Sequence, residues 1–325
     1  MTAYNYSDYT TFAIKNVTER YILAGFNLFI LLSSLLGDRT ILIASLRYRA
    51  FKLHRMITAT IQHLAVCDLL FSLTTVLPSA VSMLANRWVF GGVLCQARAH
   101  LGYLLAVNAW LLIALQTTSK FLVLKFPMRA ATASTRQCHV VCAGTWICAL
   151  VIPIIYLVVG EGDVLFDYRT YLCIYGFSSE IWGWLKPLLL FFMSSLPNLV
   201  VLITTVMLLF EARKVAQRGR ENLRWQGIMV VVLTALMHCL SVIPYTIYLI
   251  AAPHVQETPP GIFHVHYFRV AACCLLFNVI SNFYIYSLTL TSFRMFLKER
   301  STVVSKYLRS QYSASNSGNH ANTRV

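Results

Sequence analysis

The stretch Cys95–Leu124, CQARAHLGYLLAVNAWLLIALQTTSKFLVL, is long and apolar enough to cross a bilayer as one helix. A hydrocarbon core asks for about 20 helical residues at ~1.5 Å rise. The roughly 25 steps from Cys95 to Lys120 span about 37 Å at that rise, which sets the cysteine at one membrane face and the lysine at the other. Six more stretches of the same kind flank it: Tyr21–Leu46, Ile57–Ala85, Cys138–Val159, Trp184–Phe210, Gly227–Ala252 and Tyr267–Leu290. The expected fold is all-α, a bundle of seven transmembrane helices. The connections are too short to hold a separate soluble domain, and no internal repeat is evident.

Composition points the same way. Of the 325 residues 58% are hydrophobic and 12% charged, against about 45–50% apolar residues in soluble domains. Disorder requires low hydrophobicity, and a nucleic-acid module carries more total charge alongside its basic excess, so neither class fits. The net charge of +15 comes from 27 Lys plus Arg against 12 Asp plus Glu, and its placement is informative. Arg47, Arg49, Lys52 and Arg55 follow the first span. Lys120, Lys125, Arg129 and Arg136 follow the third, and Arg213, Lys214, Arg218, Arg220 and Arg224 the fifth, with six more in the tail. By the positive-inside rule these segments are cytoplasmic, leaving the N-terminus and the 2–3, 4–5 and 6–7 connections outside. Attraction to the inner leaflet accounts for most of the positive charge.

The expected organisation is an extracellular segment over 1–20, a membrane domain over 21–290, and an amphipathic helix with a cytoplasmic tail over 291–325. The first segment has neither a basic n-region nor a cleavage site, so the first span is expected to direct its own insertion into the plasma membrane. Asn5 in Asn5-Tyr6-Ser7 and Asn16 in Asn16-Val17-Thr18 are glycosylation sequons on the outer side. Cys67, Cys138, Cys142, Cys148, Cys239, Cys273 and Cys274 fall in apolar helices, where a thiol packs as a small hydrophobe. Cys95 and Cys173 alone face an oxidising compartment without competing partners, and a disulfide between them is expected. It would tie the 4–5 loop onto the third helix. No metal site is expected, because no His or Cys ligands stand at paired spacing beside them.

Several motifs recur in fixed order across the seven spans. They are Asp68 in Leu64-Ala65-Val66-Cys67-Asp68-Leu69, Trp88-x-Phe90-Gly91 before Cys95, Trp146, the loop Cys173, Pro197, Pro244 and Asn282-x-x-x-Tyr286. Together they resemble the rhodopsin-like (class A) G-protein-coupled receptors, as a divergent member. The resemblance implies a cell-surface receptor for an extracellular ligand, coupled by helix rearrangement to a heterotrimeric G protein, without enzymatic activity. It also implies a short eighth helix on the inner leaflet, for which Ser292-Phe293-Arg294 and Met295, Phe296, Leu297 and Lys298 interleave aromatic and basic residues.

The departures from the family bear on mechanism. Where the family ends its third helix on Asp-Arg-Tyr, this chain has Ser119, Lys120 and Phe121. The cation stays but its adjacent carboxylate is gone, and Lys offers a point charge in place of a planar fork. A weakly latched resting state with raised basal signalling is expected; the alternative is a decoy or scaffold that no longer couples. Val242 stands where the sixth helix normally carries Trp, His238 replaces the aromatic one turn earlier, and Phe283 stands in place of the seventh-helix proline. Pro153, Pro197 and Pro244 still allow kinks. Asn282 and Tyr286 remain as switch positions. Asp38 takes the family's first-helix Asn position beside Arg39, and ionisable residues at such depth default to functional roles. Family members hold sodium near the equivalent of Asp68; Asn278 and Asn282 could assist here, whereas the third-helix hydroxyl is replaced by Ala109. A plain polar network is the competing reading.

The default ligand site lies between the outer helix halves. Gly102 occupies the position where amine receptors of the family place Asp, and the seventh span has no lysine for a retinal Schiff base, which disfavours both ligand classes. The upper walls carry Arg98, His100, Lys186, Tyr245, Tyr248, His266 and Arg269, and the outer loop Glu161, Asp163, Asp167 and Glu180. The segment Tyr168–Tyr175 is rich in strand formers, as for the hairpin lid of peptide-binding members, and a peptide is the first choice of ligand. The basic wall residues suggest a small anionic or lipid acid ligand instead, or cations that merely snorkel. The tail carries Ser301, Thr302, Ser305 and further serines as arrestin-recruiting phosphosites, and Thr323 with the terminal Val325 fits a PDZ-domain ligand. No His-Glu-x-x-His or Gly-x-Ser-x-Gly motif supports an enzyme. A channel or transporter through Asp38, Arg39 and Asp68 would commonly show a repeat or broken helices.

Overall fold

The computed structural model describes residue 14 and the stretches 16–47, 53–159, 164–168, 171–175, 195–217, 225–255 and 262–300, together with residue 302. Seven long helices run through them. They are α1 (Val17–Arg47), α2 (Arg55–Ala85), α3 (Gly91–Lys125), α4 (Thr135–Val158), α5 (Leu196–Gln217), α6 (Trp225–Val255) and α7 (Ile262–Thr289). All but α5 meet the length and apolarity of a membrane span over their described residues, and the outer part expected of α5, from Trp184, lies outside them. Residues 291–300 form one more helix, α8. The helices overrun the apolar stretches at their ends because polar flanking residues also supply caps. Asn16 Oδ1 accepts from the Thr18 amide at 3.0 Å at the start of α1, the His54 ring accepts from Met56 N at 3.3 Å at α2, and Ser134 with Gln137 closes a capping box on α4.

Two prolines leave visible marks. Pro153 has no N–H to offer the carbonyl four residues back, and α4 breaks there, between Ala149 and Val151. Pro78 acts likewise on α2, where the π-helical turn Ser72–Val76 absorbs the mismatch.

The bundle is packed inside and apolar outside. Ile41, Ile57, Ile61, Val230, Ile285 and Tyr286 form an inner core shared by α1, α2, α6 and α7, which Phe293 and Phe296 of α8 complete. Leu64, Leu105, Leu112, Ile113 and Val201 join α2, α3 and α5, with Cys138 and Cys142 of α4 as buried packing thiols. Leu36, Ile147, Leu157 and Leu288 point outward and are each more than 60% exposed, the outward apolar surface that a bilayer covers. Between α4 and α5 the strands β1 (Val164–Asp167) and β2 (Leu172–Tyr175) pair antiparallel, Val164 opposite Tyr175 and Asp167 opposite Leu172. The expected strand-rich segment thus supplies the second strand, and the first lies just upstream of it.

Candidate functional site

The outer end of the bundle is crossed by this hairpin, fastened along its length. At its root Cys173 is bonded to Cys95 with Cα atoms 5.3 Å apart. Arg98, one turn further along α3 and 9% exposed, donates through Nη1 to the Cys173 carbonyl. Its guanidinium lies among Tyr103, Tyr245, Asp167 and Tyr175. Tyr175 is sandwiched between Tyr156 (centroids 3.5 Å, planes 16° apart) and Tyr103 (4.6 Å, 7°), and His100 meets its edge at 5.3 Å. At the other end of the hairpin Tyr171 adopts a left-handed φ of 55° and donates from its hydroxyl to Asn86 Oδ1 at 2.8 Å. Burial pushes the Tyr171 and Tyr175 phenols above the ordinary tyrosine range. Tyr171 packs with Ile14, Ala24 and Met83, so the lid reaches from α3 and α4 across to α1 and α2.

The predicted ligand-site residues divide accordingly. Arg98, Gly102 and Tyr245 come together beneath the lid, where a Cβ added at Gly102 would lie 3.4 Å from the Arg98 guanidinium. Arg269 stands apart, paired through Nη1 with Glu19 Oε1 at 2.9 Å between α7 and α1. Lys186 and the side chains of Tyr248 and His266 lie outside the described residues, as do Asn5, Thr323 and Val325. The aromatic stack of Tyr103, Tyr156 and Tyr175 was not singled out from sequence. Its members come from three elements, and only the hairpin register brings them into line.

Deep in the bundle Asn282 Nδ2 donates to Asp68 Oδ2 at 3.1 Å, joining α7 to α2. Asn282 Oδ1 is buried without a hydrogen-bond partner among the described residues, an orphan acceptor beside a carboxylate that suits a cation. Asn278 lies one turn earlier on α7 and is buried. Asp38 accepts from Ser34 Oγ at 2.6 Å, and Ser34 in turn accepts from Ser72 Oγ at 2.8 Å, so the first-helix carboxyl is held by a hydroxyl chain into α2. Phe283, in place of proline, seats against Gly37 of α1. A Cβ on Gly37 would come within 2.9 Å of the Phe283 Cβ and Cγ, closer than carbon atoms approach.

At the inner end Ser119 is buried, and Phe121 packs with Leu208, Ala212, Ile228 and Val231 of α5 and α6. Lys120 reaches α6 at Gly227, where an added Cβ would lie 3.0 Å from its Nζ. One residue before Gly227, Gln226 Nε2 donates to Thr291 Oγ1 of α8 at 2.8 Å. That link between α6 and α8 was not legible in the sequence, since neither residue belongs to a recognisable motif. Tyr286 is buried near Gln116 of α3.

The sequence model of the family described as "7 transmembrane receptor (rhodopsin family)" matches residues 39–286. The chain is 27% identical over 250 residues to the C-X-C chemokine receptor type 1 of Rattus norvegicus, covering 72% of this chain and 66% of that protein. It is 24% identical over 169 residues to the "Probable G-protein coupled receptor 63" of Mus musculus, covering 52% of this chain and 39% of that one. The matches therefore span two thirds or less of these relatives' lengths. Squid rhodopsin shares the fold at a TM-score of 0.75 and 16% identity, over 90% of this chain and 87% of its own.

Proposed function

Because the chain belongs to the rhodopsin family of seven-transmembrane receptors, a class of multi-pass membrane receptors and not of enzymes, we propose that it is a plasma-membrane receptor for an extracellular peptide. Its N-terminus faces outward, and it signals through a heterotrimeric G protein. The observation that carries the ligand class is the fastened hairpin. A strand ribbon across the mouth offers a broad surface with backbone edges, the kind of platform an extended peptide engages. The Arg98 guanidinium is taken up by the Cys173 carbonyl, so the described cation beneath the lid is already engaged, which weighs against a small anionic ligand there. One of the similar proteins is by name a C-X-C chemokine receptor, which agrees with this reading. Screening surface-expressed receptor with peptide and lipid-acid libraries, read by arrestin recruitment or internalisation, tests the assignment. Hits confined to lipid acids would overturn it.

The decoy reading rests on Ser119-Lys120-Phe121, which lacks the carboxylate next to the cation. We favour coupling, because Lys120 reaches α6 and can respond when that helix moves. A sodium ion beside Asp68 and Asn282 Oδ1, arrestin recruitment by tail phosphosites and PDZ binding at Val325 belong to the same proposal. So do glycosylation at Asn5 and Asn16 and an inner-leaflet seat for α8.

A further inference from the structure

One cavity, of about 460 Å³, lies beside the Tyr171 end of the lid, on the side of the bundle formed by α1, α6 and α7. Leu23 and Phe26 of α1, Leu240 of α6, and Val270 and Phe277 of α7 line it, with Glu19 and Arg269 at its outer end. Leu240 and Val270 are 67% and 62% exposed, so the mouth opens sideways, toward hydrocarbon. From Arg269 to Phe277 the groove follows α7 for about 12 Å, close to the ~15 Å depth of one leaflet's hydrocarbon. Glu19 and Arg269 pair at the outer end of this groove, Oε1 to Nη1 at 2.9 Å. The volume falls within the range of about 300–1,000 Å³ typical of small-ligand sites, and the mostly apolar lining from α1, α6 and α7 suits an alkyl chain.

A headgroup lying on this pair meets a cation and an anion side by side. A phosphodiester suits the Arg269 guanidinium through charge-assisted hydrogen bonds, and a quaternary ammonium suits the Glu19 carboxylate. A purely anionic head would be repelled by Glu19. We propose that the groove over α7 binds a single-chain zwitterionic phospholipid of the lysophosphatidylcholine type, entering sideways from the outer leaflet, at a site separate from the peptide surface above the lid.

The test uses full-length receptor in cell membranes and a lysophosphatidylcholine carrying a diazirine at mid-chain, with adducts mapped by mass spectrometry. Adducts are expected to concentrate on the peptides bearing Leu23 and Phe26 and residues 270–277. Excess unlabelled lysophosphatidylcholine should displace them about tenfold better than oleate, the factor a lost charge-assisted contact costs. Val270→Trp fills the groove from its lipid-facing side and should remove the focused labelling at unchanged surface expression, and Glu19→Gln should erase the preference over oleate. Labelling spread evenly over all outward helix faces, in wild type or unchanged by Val270→Trp, would overturn the site. Equal displacement by oleate in wild type would overturn its zwitterionic character.

Discussion

Gly37 and Phe283 set how closely α1 approaches α7. With a Cβ at Gly37 placed 2.9 Å from the Phe283 Cβ and Cγ, Gly37→Ala forces backbone apart or a rotamer off its well, at a cost of about 1–3 kcal/mol. A clear fall in the thermal unfolding temperature of the detergent-solubilised receptor is expected, with Gly37→Ala/Phe283→Ala recovering part of it; a wild-type value for Gly37→Ala would show that the contact is slack. At the other signalling residue, Ser119→Asp restores a carboxylate next to Lys120 and should lower basal second-messenger output. Output equal to that of mock-transfected cells before and after the change contradicts the weak latch. The sequence made the loss of the seventh-helix proline and of the third-helix carboxylate plain, because each departs from a fixed pattern. It gave no hint that Phe283 uses the notch at Gly37, since that requires knowing which faces of α1 and α7 meet. Asn16 was legible only as a glycosylation sequon; its role as the cap of α1 depends on where the helix begins.

The elements that matter most are the lid and the inner ends of α6 and α8. The Cys95–Cys173 bridge closes a loop of 78 residues, worth up to about 4–5 kcal/mol in a free chain and less here, because α3 and α4 are already held by the bundle. Cys95→Ser should therefore leave the helices in place while hydrogen exchange across β1 and β2 quickens strongly. Arg98→Ala, which removes one charge-assisted bond to the Cys173 carbonyl, should quicken it to a lesser degree. Unaltered exchange in both would mean that the tyrosine stack alone secures the hairpin. At the inner end, Gln226→Ala removes the bond from α6 to Thr291. One exposed hydrogen bond contributes about 0.5–1.5 kcal/mol, so basal activity should rise roughly two- to tenfold, and an unchanged or lower level would count against a latch. The hairpin was legible through strand-forming residues near Cys173, but its first strand, Val164–Asp167, was not, because its pairing is set by register with β2.

At the scale of the whole molecule, helix number and order followed from apolar runs, since a bilayer leaves few alternatives to a helix of about 20 residues. What those runs could not show is which polar groups inside the bundle meet. Asp68 and Asn282 are far apart in the chain and touch only after α2 and α7 pack, and the groove over α7 exists only between three helices. We propose that this bundle, despite its altered inner motif, moves α6 to engage a G protein. The most direct measurement is guanine-nucleotide exchange on purified heterotrimeric G proteins of each major class, with the full-length receptor in lipid nanodiscs, compared with the same receptor carrying Lys120→Ala. Receptor-dependent exchange on at least one class, rising with Gln226→Ala and falling with Lys120→Ala, is predicted. Exchange at the level of empty nanodiscs for every class, in wild type and Gln226→Ala alike, would contradict it.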